Sequence, residues 1–363
     1  MKMLTVVGAR PQFIKAAAIS RVIRDQYTNS IEEVIVHTGQ HHDENMSQIF
    51  FDELDIPKPK FNLEISGGGH GAMTGKMLEA IEHVLLQERP DCLLIYGDTN
   101  STLAGAISAA KLHIPVAHVE AGLRSFNMRM PEEINRILSD RISSLLFCPT
   151  KTAVENLSAE GIKNGVYQVG DVMYDVALFY RERAKNNSQI LSSLELTSKN
   201  FVLATCHRAE NTDDPQRLAS ILEAFSEIAK DLPLVLPLHP RTKKLIAENN
   251  LSLLLDSIII TDPLPFLDMI ALEQGAKIIL TDSGGVQKEA FFYNTPCITL
   301  RDETEWVETV SLGWNQLVGA NAKAIIQAVE KVKIGTNLIV HQNPYGNGDA
   351  SQLICQHLLN YLN

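Results

Sequence analysis

Three carboxylates fall at the ends of expected strands or just beyond: Asp98 in YGDTNST, Glu120 in HVEAGLR, and Glu132 or Glu133 in MPEEINR. Acids gathered at strand ends can divide proton transfer and stabilisation of a positive centre between them. Each also has a plainer local role: Asp98 as the N-cap of a helix near Thr99, Glu133 as a solvated first-turn residue. CHRAEN adds His207, able to donate a proton or hydrogen bond to a departing oxyanion, and Arg208, able to fix a carboxylate. The placement these acids share favours a joint chemical role.

Two further stretches have the types that hold anions. GARPQFIK turns at Gly8, sets Pro11 at the first helical position and places Arg10 beside a helix N-terminus, with Lys15 a turn further along. TDSGGVQKEA follows the apolar run AKIIL and has the glycines of a phosphate cradle without the lysine-plus-hydroxyl ending of a nucleoside-triphosphatase loop. Ser283, Gly284 and Gly285 can turn backbone N–H groups and a helix end towards a pyrophosphate, and Glu289 can accept the two hydroxyls of a ribose. His239 in PLHPR and Arg301 in LRDETEW are candidates for the same nucleotide side. His41, His42 and Asp43 in GQHHDE lack ligand spacing and a second cluster, so no metal is assigned.

These residues need elements that bring them to one place. Apolar runs MLTVVG, EEVIVHTG, DCLLIYGD and PVAHVE alternate with helical patterns Pro11–Arg24, His42–Leu54, Ser101–Leu112 and Pro131–Ser144, and FVLATC, LPLVLPL, DSIIIT, AKIIL and PCITL repeat the rhythm in the second half. Such alternation predicts βα units and parallel sheets covered on both faces, with ligands beyond the carboxyl ends of the strands. At 363 residues two domains are expected: 1–169 carrying the acids, 170–345 carrying the nucleotide turns, and a terminal helix in 346–363. Either domain could receive that helix; the N-terminal one is the reading adopted.

The balance of 32 basic against 43 acidic residues, net −11, argues against nucleic acid as a main partner but not against a phosphate-bearing small molecule. Five scattered cysteines read as reduced. No window reaches the roughly 18 apolar residues of a membrane span, and no signal h-region is evident. A cytoplasmic protein is expected.

Together, GARPQFIK, YGDTNST, HVEAGLRS…MPEEINR, CHRAEN, DSGGVQKEA, LRDETEW and NPYGNGDAS, in this order, resemble the UDP-N-acetylglucosamine 2-epimerase family over essentially the whole chain. The resemblance implies a GT-B-like α/β fold: two doubly wound Rossmann-like domains with an interdomain cleft, UDP held mainly by the second and the sugar facing the first. It implies catalytic roles for Asp98, Glu120, Glu132 and His207, and UDP contacts for Arg10, Ser283, Gly284, Gly285 and Glu289. His239 and Arg301 correspond less closely. The implied reaction eliminates UDP to a 2-acetamidoglucal and adds it back after reprotonation of C2 from the opposite face, with no redox cofactor or metal; which carboxylate is the base stays open. A homodimer is implied as well.

The chain departs from the usual members in reading GARPQ for GTRPE, in carrying Glu305-Trp306-Val307 after Thr304 in place of Arg-Pro-Glu, and in a shorter segment SFNMRM. Gln40 matches one glutamine of a second sugar-nucleotide site in bacterial members, whereas Asp43 stands where another is expected, which argues against activation by substrate. These departures resemble the subgroup acting on UDP-2,3-diacetamido-2,3-dideoxyglucuronate for surface polysaccharide such as lipopolysaccharide O-antigen, and Arg129 is the candidate partner of its C6 carboxylate. The alternatives are a UDP-GlcNAc 2-epimerase, a hydrolysing epimerase, a GT-B glycosyltransferase and a non-catalytic UDP-sugar sensor.

Overall fold

The computed structural model describes residues 1–40, 58–334 and 343–362, which form two compact units: Met1–Val176 with Asn343–Asn363, and Ala177–Gln342. Among the described residues the first unit holds a parallel seven-stranded sheet of β1 (Lys2–Val7), β2 (Glu32–His37), β3 (Phe61–Asn62), β4 (Cys92–Tyr96), β5 (Val116–Val119), β6 (Leu145–Cys148) and β7 (Val166–Gln168), in the order β3-β2-β1-β4-β5-β6-β7. Its helices are α1 (Arg10–Val22), α2 (His70–Glu88), α3 (Asn100–Lys111), α4 (Pro131–Ile142) and α5 (Lys151–Ala159). Met3, Leu4, Leu93, Leu94 and Ile95 are fully buried, as strands covered on both faces require.

The second unit repeats the plan with β8 (Val202–Thr205), β9 (Leu234–Pro237), β10 (Ile259–Thr261), β11 (Ile278–Thr281), β12 (Cys297–Thr299) and β13 (Asn315–Leu317), in the order β10-β9-β8-β11-β12-β13. The strands that the hydrophobic rhythm passes over are β3, β6, β7 and β13. Three of them are two or three residues long, too short to display a pattern, and β6 sits inside the unpunctuated run SLLFC. The helix expected over His42–Leu54 lies outside the described residues.

In both sheets the chain order reverses once, between β1 and β4 and between β8 and β11. Loops leave such neighbours in opposite directions and open a crevice beyond their carboxyl ends. Gly8–Arg10 lies beside Gly97-Asp98 at the first reversal, and Cys206–Arg208 beside Asp282–Gly284 at the second.

Helix α4 inverts the usual amphipathic arrangement. Glu133, Asn135, Arg136, Ser139 and Asp140 are buried, while Ile134, Leu138 and Ile142 are 41%, 45% and 37% exposed. Burial of a charged stripe is stable only if every member is paired, and the pairings belong to the candidate site below.

A long helix, α6 (Val172–Asn187), leaves the first unit, and the chain returns to it as α12 (Ala350–Leu362) packed against α1; between them lie α7 (Pro215–Ala229), α8 (Pro240–Glu248), α9 (Phe266–Gly275), α10 (Gly284–Phe292) and α11 (Ala322–Ile334). Asp175 receives the backbone N–H groups of Ala350 (3.2 Å) and Ser351 (2.7 Å), and so closes the N-terminus of α12 from a distant segment. Burial pushes its carboxyl up to about 6, although those hydrogen bonds pull the other way. The folded chain therefore retains a proton that the unfolded chain has released, so this site's contribution is full below about pH 4 and is lost as pH rises through about 6. Chemical denaturation is expected to show the wild type losing about 1.5 kcal/mol more stability than Asp175→Asn between pH 5 and 7.5; identical slopes would refute this.

Candidate active site

The first reversal is stitched by one side chain. Gln12 Oε1 accepts from the N–H groups of Gly8 (2.8 Å) and Ala9 (3.0 Å), and the two Nε2 protons are shared among the Tyr96 carbonyl (2.8 Å), Thr99 Oγ1 (3.0 Å) and Thr102 Oγ1 (2.9 Å). The turn after β1, bearing half-buried Arg10, is thus tied to the turn after β4, bearing Asp98. Asp98 is not the helix cap; Thr99 is, accepting from Thr102 N–H. The Asp98 side chain is left a third exposed and pairs with Arg136.

Glu120 directly follows β5 with φ +72°, a left-handed conformation that costs a non-glycine residue energy and marks a site over-determined by its surroundings. Its carboxylate pairs with Lys15, both side chains about one-tenth exposed. Gly97 passes beneath this pair at φ +59°, where an added Cβ would stand 3.3 Å from Glu120 Oε2 and 3.5 Å from Lys15 Nζ. That backbone conformation favours glycine, and a Cβ would also press on the pair. Lys15 and Glu120 also line a small recess with Val119, Pro149, Gly170, Asp171 and Val172.

The two glutamates of MPEEINR have different duties. Glu133 is buried and accepts from Ser125 N–H (3.0 Å), Phe126 N–H (2.9 Å) and Arg136 Nη1 (2.7 Å), so the reading of it as a solvated first-turn residue is corrected. Glu132 is exposed at the start of α4. Arg136 joins Asp98 to Glu133, a role that sequence spacing signals only through the i, i+3 step from Glu133. Arg129 is exposed, with its backbone N–H on Asn127 Oδ1 (3.1 Å).

In the second unit, Asp282 plays the part of Gln12. It is fully buried and accepts from the N–H groups of His207 (3.0 Å) and Arg208 (3.0 Å) and from Asn211 Nδ2 (3.2 Å), tying the turn after β8 to the turn after β11. His207 is left half exposed, its Nδ1 3.5 Å from Asp282 Oδ1. Ser283 caps α10 without a side-chain hydrogen bond, and Gly285 is exposed beside it. A Cβ at Gly284 would lie 2.5 Å from Glu305 Oε1, so that side chain would have to move. Arg301 is buried and donates to Glu305 (3.1 Å), while Lys288 Nζ lies 3.9 Å from the centroid of the Trp306 ring. The Glu305-Trp306-Val307 departure thus braces the Gly284 turn. Glu289 is half buried on α10, and His239 caps α8, accepting from Arg241 N–H (3.2 Å).

Each unit thus places its candidate anion-binding turn at the reversal of its sheet, and the first adds Asp98, Glu120 and Glu133, each paired with a cation. Gln40 is engaged locally, accepting from Ser101 N–H (3.2 Å) and Oγ (2.8 Å); His41, His42 and Asp43 lie outside the described residues. The family model for UDP-N-acetylglucosamine 2-epimerase matches residues 25–359. The chain belongs to that family.

It is 54% identical over 363 residues to UDP-2,3-diacetamido-2,3-dideoxy-D-glucuronate 2-epimerase of Pseudomonas aeruginosa, covering 99% of each chain, and 32% identical over 377 residues to UDP-N-acetylglucosamine 2-epimerase of Escherichia coli K12, again covering 99% of each. The crystal structure of Methanocaldococcus jannaschii UDP-GlcNAc 2-epimerase in complex with UDP-GlcNAc and UDP matches with TM-score 0.91 and 46% identity over 99% of this chain and 100% of that one. The expectation of a GT-B-like pair of Rossmann-like domains holds, and the chain is a UDP-sugar 2-epimerase. Within the family, Gln12 has a physical reason: an amide can donate to the Tyr96 carbonyl where the carboxylate of GTRPE has no proton to offer.

The division of labour between Glu132 and Glu133 is testable. Glu133→Ala is expected to cost about 3–5 kcal/mol in urea denaturation, because it leaves Arg136 buried beside an empty position. Glu132→Ala is expected to change stability by less than about 0.5 kcal/mol. Equal losses would show that the two are interchangeable.

Proposed function

We propose that this enzyme converts UDP-2,3-diacetamido-2,3-dideoxyglucuronate to its mannuronate isomer, supplying surface polysaccharide. The observation that carries this reading is end-to-end identity of 54% with the Pseudomonas aeruginosa enzyme of that name. The C2 proton is not adjacent to a carbonyl, so cleavage of the C1–O bond to UDP leads, and the cationic centre so formed acidifies C2. His207, Arg10 and the Ser283–Gly285 turn take up charge on the departing diphosphate. Asp98, Glu120 and Glu132 share removal of the C2 proton and its return on the opposite face, after which UDP adds back to C1. In this reading Lys15 keeps Glu120 oriented, Arg208, His239, Glu289 and Arg301 shape the nucleotide side, and Arg129 meets the C6 carboxylate.

A second reading, epimerisation of UDP-GlcNAc, is favoured by likeness to the Methanocaldococcus jannaschii enzyme. Proton NMR in D₂O with both UDP-sugars separates the two. Deuterium at C2 of the acidic sugar alone, with a UDP-linked manno product, supports the first; reaction of UDP-GlcNAc alone supports the second; free sugar as first product overturns both in favour of hydrolysis. Asp98→Asn, Glu120→Gln, Glu132→Gln and His207→Ala are each expected to lower kcat by about 100-fold or more. Arg129→Ala is expected to raise KM for the acidic sugar about tenfold, the scale of one charge-assisted contact, and leave the neutral one unchanged.

We also propose a homodimer that covers the outer face of α4, where Ile134, Leu138 and Ile142 continue into exposed Phe126 and Met128. Light scattering is expected to give a dimer that Leu138→Glu weakens. A cytoplasmic setting fits five buried, unbridged thiols. Among the described residues no helix is long and apolar enough to cross a membrane.

A further inference from the structure

His118 on β5, two residues before Glu120, is fully buried. Its Nε2 lies 2.7 Å from the Gly97 carbonyl oxygen and its Nδ1 2.7 Å from Asp140 Oδ1 on α4. A carbonyl only accepts, and so does an ionised carboxylate, so each contact needs a proton on the ring nitrogen. A neutral imidazole supplies one N–H; an imidazolium supplies two.

The surroundings favour the ionised form of Asp140. Its Oδ2 accepts from Gly122 N–H (3.1 Å) and Arg124 Nη1 (2.7 Å). Burial alone pushes this carboxyl up, but the hydrogen bond and charge of His118, joined by Arg124, outweigh burial and hold it below the usual carboxylate range. Arg124 completes the group through two hydrogen bonds to Glu160, at 2.6 and 2.8 Å. With His118 protonated, Asp140 faces a cation on each oxygen, His118 on Oδ1 and Arg124 on Oδ2, and Arg124 is shared with Glu160, whose side chain is a third exposed. Cys148 on the adjacent strand adds no charge, since burial and then Asp140 push its thiol pKa up.

We propose that His118 is a buried imidazolium whose two N–H groups position the turns carrying Asp98 and Glu120. The inference rests on the reading of those acids as reacting groups. The carbonyl His118 holds belongs to the residue before Asp98, so the peptide bond entering Asp98 has one orientation. The carboxylate that holds His118 also holds the N–H of Gly122, two residues beyond Glu120. One Asp140–His118 pair thereby spans both acid-bearing turns, and rotating the ring would break two charge-assisted bonds at once. His118 touches no reacting atom in this scheme; it is a positioning residue.

The test uses the full-length enzyme with ¹⁵N-ring-labelled histidine. Proton–nitrogen correlation spectra at pH 8, where exposed histidines are neutral, are expected to show one ring with protons on both nitrogens, absent in His118→Gln. A single N–H on His118 overturns the proposal. His118→Gln and Asp140→Asn are expected to lower kcat about ten- to hundredfold, the cost of misplacing a reacting group by around 1 Å, with KM changed less than about twofold. An unchanged kcat, or a loss carried by KM, overturns the positioning role. Should His118→Gln fail to fold, Asp140→Asn keeps the ring and supplies both the assignment and the kinetics. The spectrum needs no turnover, so a wild-type enzyme inert towards every UDP-sugar would count against the proposed function and leave the charge of His118 decided separately.

Discussion

Each parallel sheet reverses its strand order once, and at that place the chain must hold together two loops that depart in opposite directions. One buried polar side chain does this in each unit. Gln12 gathers the N–H groups after β1 and the carbonyl at the end of β4, and Asp282 gathers the N–H groups after β8 from its place after β11. The rest of the candidate chemistry depends on these two clamps, because Arg10, Asp98, His207 and the Ser283–Gly285 turn are each within a few residues of one. A buried amide or carboxylate left without these partners would be expensive, so the same bonds that organise the site also make its geometry unique.

Helix α4 shows how much the site asks of the fold. A helix placed only for stability would turn Ile134, Leu138 and Ile142 inwards. Here Glu133, Arg136 and Asp140 face in, and each is paired: Glu133 with the Ser125–Phe126 backbone and Arg136, Arg136 with Asp98, Asp140 with His118, Gly122 and Arg124. Hydrogen bonds to charged groups are stronger than neutral ones but lose that advantage when a partner is missing. The helix therefore works as a rigid rack behind Asp98 and Glu120, and its apolar stripe is displaced to the surface.

Much of this was legible in the chain. The alternation of apolar runs with helical patterns named the parallel sheets, Pro11 and Pro131 marked helix starts, and the position of Asp98, Glu120, His207 and Ser283 after apolar runs put them at strand ends. What escaped notice was short or inverted. The strands β3, β7 and β13 carry too few residues for a period, and the buried charges of α4 look in sequence like a solvated face. Asp282, Asp140 and His118 carried no signal of their own, and Gln12 and Arg136 only a departure from the usual motif and an i, i+3 step, since polar residues beside a motif usually face water.

By itself, then, the sequence determined the alternating architecture, the strand-end location of the acids and anion-binding turns, and through its ordered motifs the family. Periodicity and turn chemistry are local, and a few residues suffice to express them. Only the tertiary structure decided which of two adjacent glutamates is buried, that Lys15 partners Glu120, that charged side chains pass close by Gly97 and Gly284, and that both nitrogens of His118 face acceptors. Each of those facts concerns groups tens of residues apart, brought within hydrogen-bond distance by strand pairing, and a pairwise distance of that kind has no counterpart in local sequence.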